Sequence, residues 1–240
     1  MTTAAAPIRA LVFDIFGTVV DWRGSLIREG QVLGARLGRE ADWAALADAW
    51  RAGYVPAMAK VARGELGWTS IDVLHRMILD EILPRFGLGD LPEDERQHFN
   101  RAWHRLDPWA DSVRGLTRLK TRFVIATLSN GNVALLVNMA KHGGLPWDTV
   151  FSAELFQAYK PDPRAYQGAA RLLDLPTDQV LMVAAHPSDL AGAQRAGLRT
   201  AYIPRPLERG AGGWMEPVGE LRFDFTADSL DTLADQLGCP

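Results

Sequence analysis

Near the start of the chain an apolar run, Leu11-Val12-Phe13, ends on an acid, Asp14, and then turns at Gly17 with Thr18 behind it. An uninterrupted apolar run closed by a turn signal reads as a buried strand, and the segment predicts one. In an open α/β sheet, ligands bind outside the carboxyl ends of the strands. Asp14 is therefore a candidate nucleophile. Phe16, two residues on, has no group that can move a proton.

The partners of this strand come late in the chain. From Asp21 to Leu106 the pattern is helical, with helices predicted over Ser25–Leu37, Ala41–Val61, Ser70–Phe86 and Pro92–Leu106 and breaks at Gly64–Gly67 and Gly87–Pro92. Four such helices can pack as a small bundle. Beyond Ser112, helices and strands alternate: helix Ser112–Lys120, strand Phe123–Thr127, helix Val133–His142, strand Thr149–Ser152 and helix Pro163–Leu173. Strand Val180–Ala185, helix Ser188–Arg195, strands Thr200–Ile203 and Phe223–Phe225, and helix Leu230–Leu237 complete the series. Such alternation predicts a parallel sheet with right-handed crossovers. The fold class is thus α/β, with residues 1–20 and 107–240 as a core domain and residues 21–106 as a helical cap domain inserted after the first strand, over its carboxyl edge.

A chain of 240 residues, 48% apolar, suffices for a core domain carrying a smaller one. Its 26 Lys and Arg against 29 Asp and Glu, spread along the chain, lack the basic footprint of a nucleic-acid binder. No apolar run approaches the ~20 residues that span a bilayer, and the start, MTTAAAPIR, lacks the apolar segment of a secretory signal. A cytoplasmic protein is expected. Cys239 is the one cysteine, which leaves no disulfide framework or thiolate metal cluster, and a flexible tail is its expected setting. Internal repeats, a Walker-type loop and a His pair at i, i+4 are missing too, so the chemistry rests on dispersed residues.

Strand ends deliver those residues: Asp14 and Thr18 after the first strand, Ser129 and Asn130 after the next, His186 and Asp189 after Val180–Ala185. Lys160 precedes Pro161-Asp162-Pro163. Taken singly, each also reads as a turn former, a helix cap or a helix start. Taken together, in this order, they resemble the four motifs of the haloacid dehalogenase-like hydrolase superfamily, over essentially the whole chain. The resemblance implies a Rossmann-like core with a cap inserted after the first strand. Most members are magnesium-dependent phosphohydrolases, which need a second Asp two residues after the nucleophile and further carboxylates for the metal. Here that position is Phe16, and Val183 to Asp189 carries one carboxylate, Asp189. Asp14 and Asp189 could still supply two ligands, but no metal or other cofactor is expected.

The L-2-haloacid dehalogenase branch needs neither acid nor metal, because a halide leaves without a proton. Its first motif resembles Phe13 to Asp21, with an aromatic where Phe16 stands, and its cap carries a Trp-Arg pair, here Trp50-Arg51, followed by Trp68 and Ile71. By pattern alone Arg51 also reads as a solvated helix residue. The resemblance implies that Asp14 attacks C2 of a short 2-haloalkanoate to form an ester, while Arg51 stabilises the halide. Ser129 and the backbone N–H groups near Ile15 and Phe16 would bind the substrate carboxylate, with Trp50, Trp68, Ile71 and Asn130 around it. Thr18, Lys160 and Asp189 would hold the nucleophile and the hydrolytic water, with Asn130 and Tyr166 supporting Ser129 and Lys160. The partners implied are a small 2-halocarboxylate, its halide and a second copy in a homodimer.

The fourth motif departs from that branch. Where those enzymes read roughly Ser-Ser-Asn-Ala-Trp-Asp, this chain has Ala184, Ala185, His186, Pro187, Ser188 and Asp189. His186 reads as a structural residue, a general base or a hydrogen-bond donor to halide, and Ser188 replaces a halide-pocket Trp. Two competing readings remain: a phosphohydrolase of the same fold, and a non-catalytic member that binds a carboxylate. The Gly- and Pro-rich segment Arg205–Glu220, with Trp214 and Met215, either lines the mouth of the site or only connects two elements.

Overall fold

A computed structural model describes residues 6–240. Strand β1 (Ala10–Phe13) lies inside a parallel six-stranded sheet of order β5-β4-β1-β6-β7-β8. The others are β4 (Val124–Ser129), β5 (Thr149–Ser152), β6 (Val180–Ala184), β7 (Arg199–Tyr202) and β8 (Phe225–Thr226). The chain moves outward from β1 through β4 to β5 and then returns to place β6 on the other side of β1. This reversal is the switch point at which α/β sheets open a crevice. Phe13 pairs with Thr127 on one side and Val183 on the other, so Asp14, Ser129 and His186 all emerge at one edge.

Side-chain alternation along the strands feeds two layers. Leu11, Phe13, Ile125, Leu181 and Val183 pack in one cluster with Leu116, Leu135 and Leu230, from helices α5 (Ser112–Lys120), α6 (Val133–Gly143) and α10 (Leu230–Gln236). Val12, Ala126, Leu128, Met182 and Ala184 pack on the opposite face with Tyr166, Ala169, Leu190 and Ala193, from α8 (Pro163–Leu172) and α9 (Pro187–Arg195). A single turn, α7 (Ala153–Phe156), follows β5.

Between β1 and β4 the chain leaves the sheet through a two-stranded stem, β2 (Val20–Asp21) antiparallel to β3 (Asp107–Pro108). The helices α1 (Trp22–Leu37), α2 (Trp43–Ala62), α3 (Ile71–Ile82) and α4 (Glu93–Asn100) lie between its two strands. Asp21 and Asp42 cap α1 and α2 by accepting from the Gly24 and Ala45 N–H groups. The predicted helix over Ser70–Phe86 changes to 3-10 geometry at Leu83, where Pro84 removes a donor. That over Pro92–Leu106 likewise gives way to a 3-10 turn, Arg101–Arg105.

Two local expectations are corrected. Cys239 is buried, because Arg118 donates to the Cys239 and Pro240 carbonyls and draws the end of the chain onto α5. The last strand begins at Phe225 rather than Phe223, since the Asp224 side chain takes the Thr200 N–H at the head of the ladder. Among the described residues no helix is long and apolar enough to cross a membrane.

Candidate active site

At the switch point a cavity of about 320 Å³ opens between the sheet edge, α2 and the 205–216 loop; Asp14, Phe16, Arg51, Tyr54, Lys160 and His186 are among its lining residues. Asp14 follows the last residue of β1 and is buried. Its Oδ1 accepts from Lys160 Nζ at 2.9 Å, and its Oδ2 from Thr18 Oγ1 at 2.8 Å and from His186 Nδ1 at 3.1 Å. Burial opposes ionisation of Asp14, but the Lys160 and His186 cations more than offset it and hold the carboxyl far below the usual range. Asp14 is therefore ionised.

Lys160 Nζ also donates to Asp189 Oδ2 at 2.5 Å, and Tyr166 Oη donates to Asp189 Oδ1 at 2.6 Å. Burial and the Asp14 charge push the Asp189 carboxyl up, with Lys160 acting in the opposite sense. Burial likewise lowers the tendency of Lys160 to ionise, yet the two carboxylates keep its ammonium above its ordinary value. Asn130 Oδ1 accepts the backbone N–H of Lys160 at 2.8 Å and so fixes where the ammonium stem begins. Tyr166 reaches Lys160 through Asp189.

His186 stands between two acids. Its Nε2 lies 3.1 Å from each oxygen of Glu208, a buried residue of the 205–216 loop. Burial disfavours the charged ring, but hydrogen bonds to Asp14 and Glu208 push its pKa up to about 10. Glu208 Oε1 also accepts from Trp22 Nε1 at 2.9 Å, which ties it to the first residue of α1. No periodic pattern marks Glu208 in a loop of Gly and Pro, and sequence reasoning passed over it, as it did Trp22 and Tyr54.

From α2, Arg51 reaches the cavity with its guanidinium 4.3 Å from the Tyr54 ring and 5.6 Å from that of Trp22. Its Nη1 is buried with no acceptor. Trp50 does not share this direction: successive helical residues diverge by about 100°, and Trp50 turns into the apolar interior, where Nε1 donates to the His75 carbonyl. Phe16 packs edge-on against Trp103 at 5.5 Å and Tyr54 at 6.2 Å. His75, stacked 4.0 Å from Trp103, is pushed down to about 3 by burial and is neutral.

Several expected substrate contacts lie elsewhere. Ser129 is buried below the cavity, its Oγ accepting from the Gly131 N–H. Ile71, the first residue of α3, is buried in the apolar cluster. Trp68 packs on Tyr159 at 4.8 Å and lines a neighbouring cleft. The Ile15 side chain is buried in the sheet core, while no acceptor among the described residues meets the Ile15 and Phe16 N–H groups. Ser188 borders the cavity but bonds Glu216 through its N–H and hydroxyl. The 205–216 loop is more than a connection: Arg209 and Glu216 line the cavity too, whereas Trp214 is exposed.

A metal ion does not fit this donor set. Mg²⁺ needs an octahedral shell of oxygens, whereas Lys160, Thr18 and His186 already occupy the oxygens of Asp14, and Phe16 offers none. A family model of haloacid dehalogenase-like hydrolases matches residues 8–197. The chain belongs to that family. Relatives of this hydrolase include (S)-2-haloacid dehalogenase 1 of Pseudomonas sp. (strain CBS-3), 32% identical over 210 residues, or 83% of this chain and 86% of the relative. Its fold superposes on the crystal structure of the L-2-haloacid dehalogenase PA0810 with a TM-score of 0.93 and 46% identity, covering 96% of this chain and 99% of that one. The defluorinating L-2-haloacid dehalogenase Rha0230 gives a TM-score of 0.93 and 41% identity over 97% and 96% of the two chains.

Proposed function

We propose that this hydrolase cleaves the carbon–halogen bond of short 2-haloalkanoates, of the haloacetate and L-2-halopropionate type, and yields 2-hydroxy acids. Asp14 attacks C2 in line with the carbon–halogen bond, the bonding pair leaves with the halide, and an ester forms at Asp14 with inversion at C2. Water then attacks the Asp14 carbonyl carbon and frees the hydroxy acid. The observation that carries this reading is the pairing of an ionised Asp14 with a proton-free neighbour, Phe16, and with a half-buried cation, Arg51, whose buried Nη1 has no acceptor. A halide supplies that acceptor and needs no proton; an alcohol leaving from phosphate needs one. The free Ile15 and Phe16 N–H groups suit the substrate carboxylate, and Lys160 and Thr18 hold the nucleophile. A cytoplasmic homodimer completes the reading.

Halide release from haloacetates and L-2-halopropionates, unchanged by EDTA, is the expected result. Hydrolysis of a chromogenic phosphate that disappears with chelator supports the phosphohydrolase reading instead. A single turnover in ¹⁸O water places the label in Asp14; label confined to the product excludes the ester.

A further inference from the structure

We propose that Glu208 is a positioning residue of the hydrolytic half-reaction, holding His186 so that Nδ1 of its imidazole serves as the acid–base group for the ester at Asp14. The proposal rests on the dehalogenase reading and assigns a role to a residue that no motif contains.

The geometry is that of a dyad aimed at the nucleophile. Nε2 of His186 sits 3.1 Å from both Glu208 oxygens, and Nδ1 sits 3.1 Å from Asp14 Oδ2. Ring rotation is thereby blocked at both ends. Glu208 is itself held by Trp22 Nε1 and by its loop: Arg205, whose carbonyl accepts the Glu208 N–H, donates to the Thr18 carbonyl and pairs with Asp111. The turn at the nucleophile leaves room for it, since a Cβ on Gly17 would lie 2.3 Å from Glu208 Oε1. Glu208 is buried in this loop, and its carboxylate is compensated by the ring, the Trp22 indole and the nearby Arg51 charge.

In the resting enzyme both ring nitrogens face carboxylates, so both carry protons and His186 cannot act as a base. Ester formation changes this. The C2–oxygen bond converts the Asp14 carboxylate to a neutral ester, the halide takes the bonding pair, and one of the two anions holding the imidazolium is gone. His186 then gives its Nδ1 proton to solvent through the cavity, while Nε2–H stays on Glu208. Water attacks the Asp14 carbonyl carbon and passes a proton to Nδ1. The acyl–oxygen bond breaks, the departing hydroxy acid oxygen takes that proton, and the acid form of Asp14 returns one to His186. The cycle consumes one water and delivers one proton and one halide.

Rapid-quench halide assays and intact-protein mass spectrometry separate the two steps. In Glu208→Gln, which keeps an oxygen acceptor for Trp22, the first equivalent of halide is expected within about threefold of the wild-type rate. Steady turnover is expected at least tenfold slower, with the Asp14 ester accumulating as an added mass. His186→Asn is expected to show the same split, with hydrolysis reduced by about 10²–10⁴, and Glu208→Asp to recover part of the turnover. Equal slowing of both steps, as a merely structural role gives, overturns the proposal, as does unimpaired turnover in both Glu208→Gln and His186→Asn. Slowing confined to halide release also overturns it and makes His186 a halide donor. A wild-type enzyme that releases no halide from any 2-haloacid refutes the dehalogenase reading itself, a different outcome from either variant result.

Discussion

Replacing Lys160 by Met removes the one cation that separates two buried acids, and the consequence can be worked from the distances. Asp14 Oδ1 and Asp189 Oδ2 lie 2.9 and 2.5 Å from Nζ, so the two oxygens are at most ~5.4 Å apart. At an effective dielectric of ~20, two charges at that separation repel by about 3 kcal/mol, equivalent to about 2 pKa units. In the wild type the Asp14 carboxyl is held below its ordinary value. Its stabilising contribution is therefore present above that ordinary value and is lost as the pH falls through the depressed one. In the variant the sign reverses: the acid pair, left with the His186 cation alone, binds its first proton at a higher pH than in the wild type, so the penalty is present at neutral pH and fades as the pH falls. Urea unfolding is expected to show a loss of about 3 kcal/mol at pH 7.5 and a smaller loss at pH 5. The acid limb of halide release moves to higher pH than in the wild type, because Asp14 keeps only the His186 cation beside it and a protonated Asp14 is no nucleophile. Equal destabilisation at both pH values, or halide release with an unshifted profile, refutes the electrostatic role assigned to Lys160.

Two further substitutions probe opposite sides of the same cavity. Gly17→Ala forces a side chain onto a residue at φ +86° and against the Glu208 carboxylate; it is expected to cost about 1–3 kcal/mol in urea unfolding and to slow turnover while the ester accumulates. Arg51→Lys replaces a planar cation lying on Tyr54 with a point charge on a flexible stem. Its first-turnover halide release is expected to fall at least tenfold with no ester accumulating and with stability changed by less than about 1 kcal/mol; a normal halide burst from this variant removes Arg51 from the leaving-group side.

What could be read in the chain follows how local each signal is. The alternation in Leu11, Val12 and Phe13 sends neighbouring side chains to opposite layers, and Asp14 at the end of that run stands at the sheet edge as the pattern indicates. Asp21 and Asp42 start helices through contacts three residues long. Signals of this reach survive in one dimension. The stem of β2 and β3 did not, because two-residue strands carry no period and are defined by pairing across 85 or more residues of cap. Trp50 shows a subtler limit. The Trp-Arg pair marks α2, but only the rotation of that helix decides that Arg51 enters the cavity and Trp50 the apolar interior.

The chain by itself determined the α/β class, the first buried strand, the acid at its end and the apolar Phe16 two residues on, since each depends on residues within a turn or a strand of one another. Tertiary structure alone decided the electrostatics of the site. Lys160 meets Asp14 across 146 positions, and Glu208 meets Trp22 across 186. Such contacts arise because the sheet reverses at β1 and gathers loops that are distant along the chain onto one edge. Burial there strengthens each charge on its neighbour, so His186, indistinct in sequence, becomes an imidazolium held between two acids.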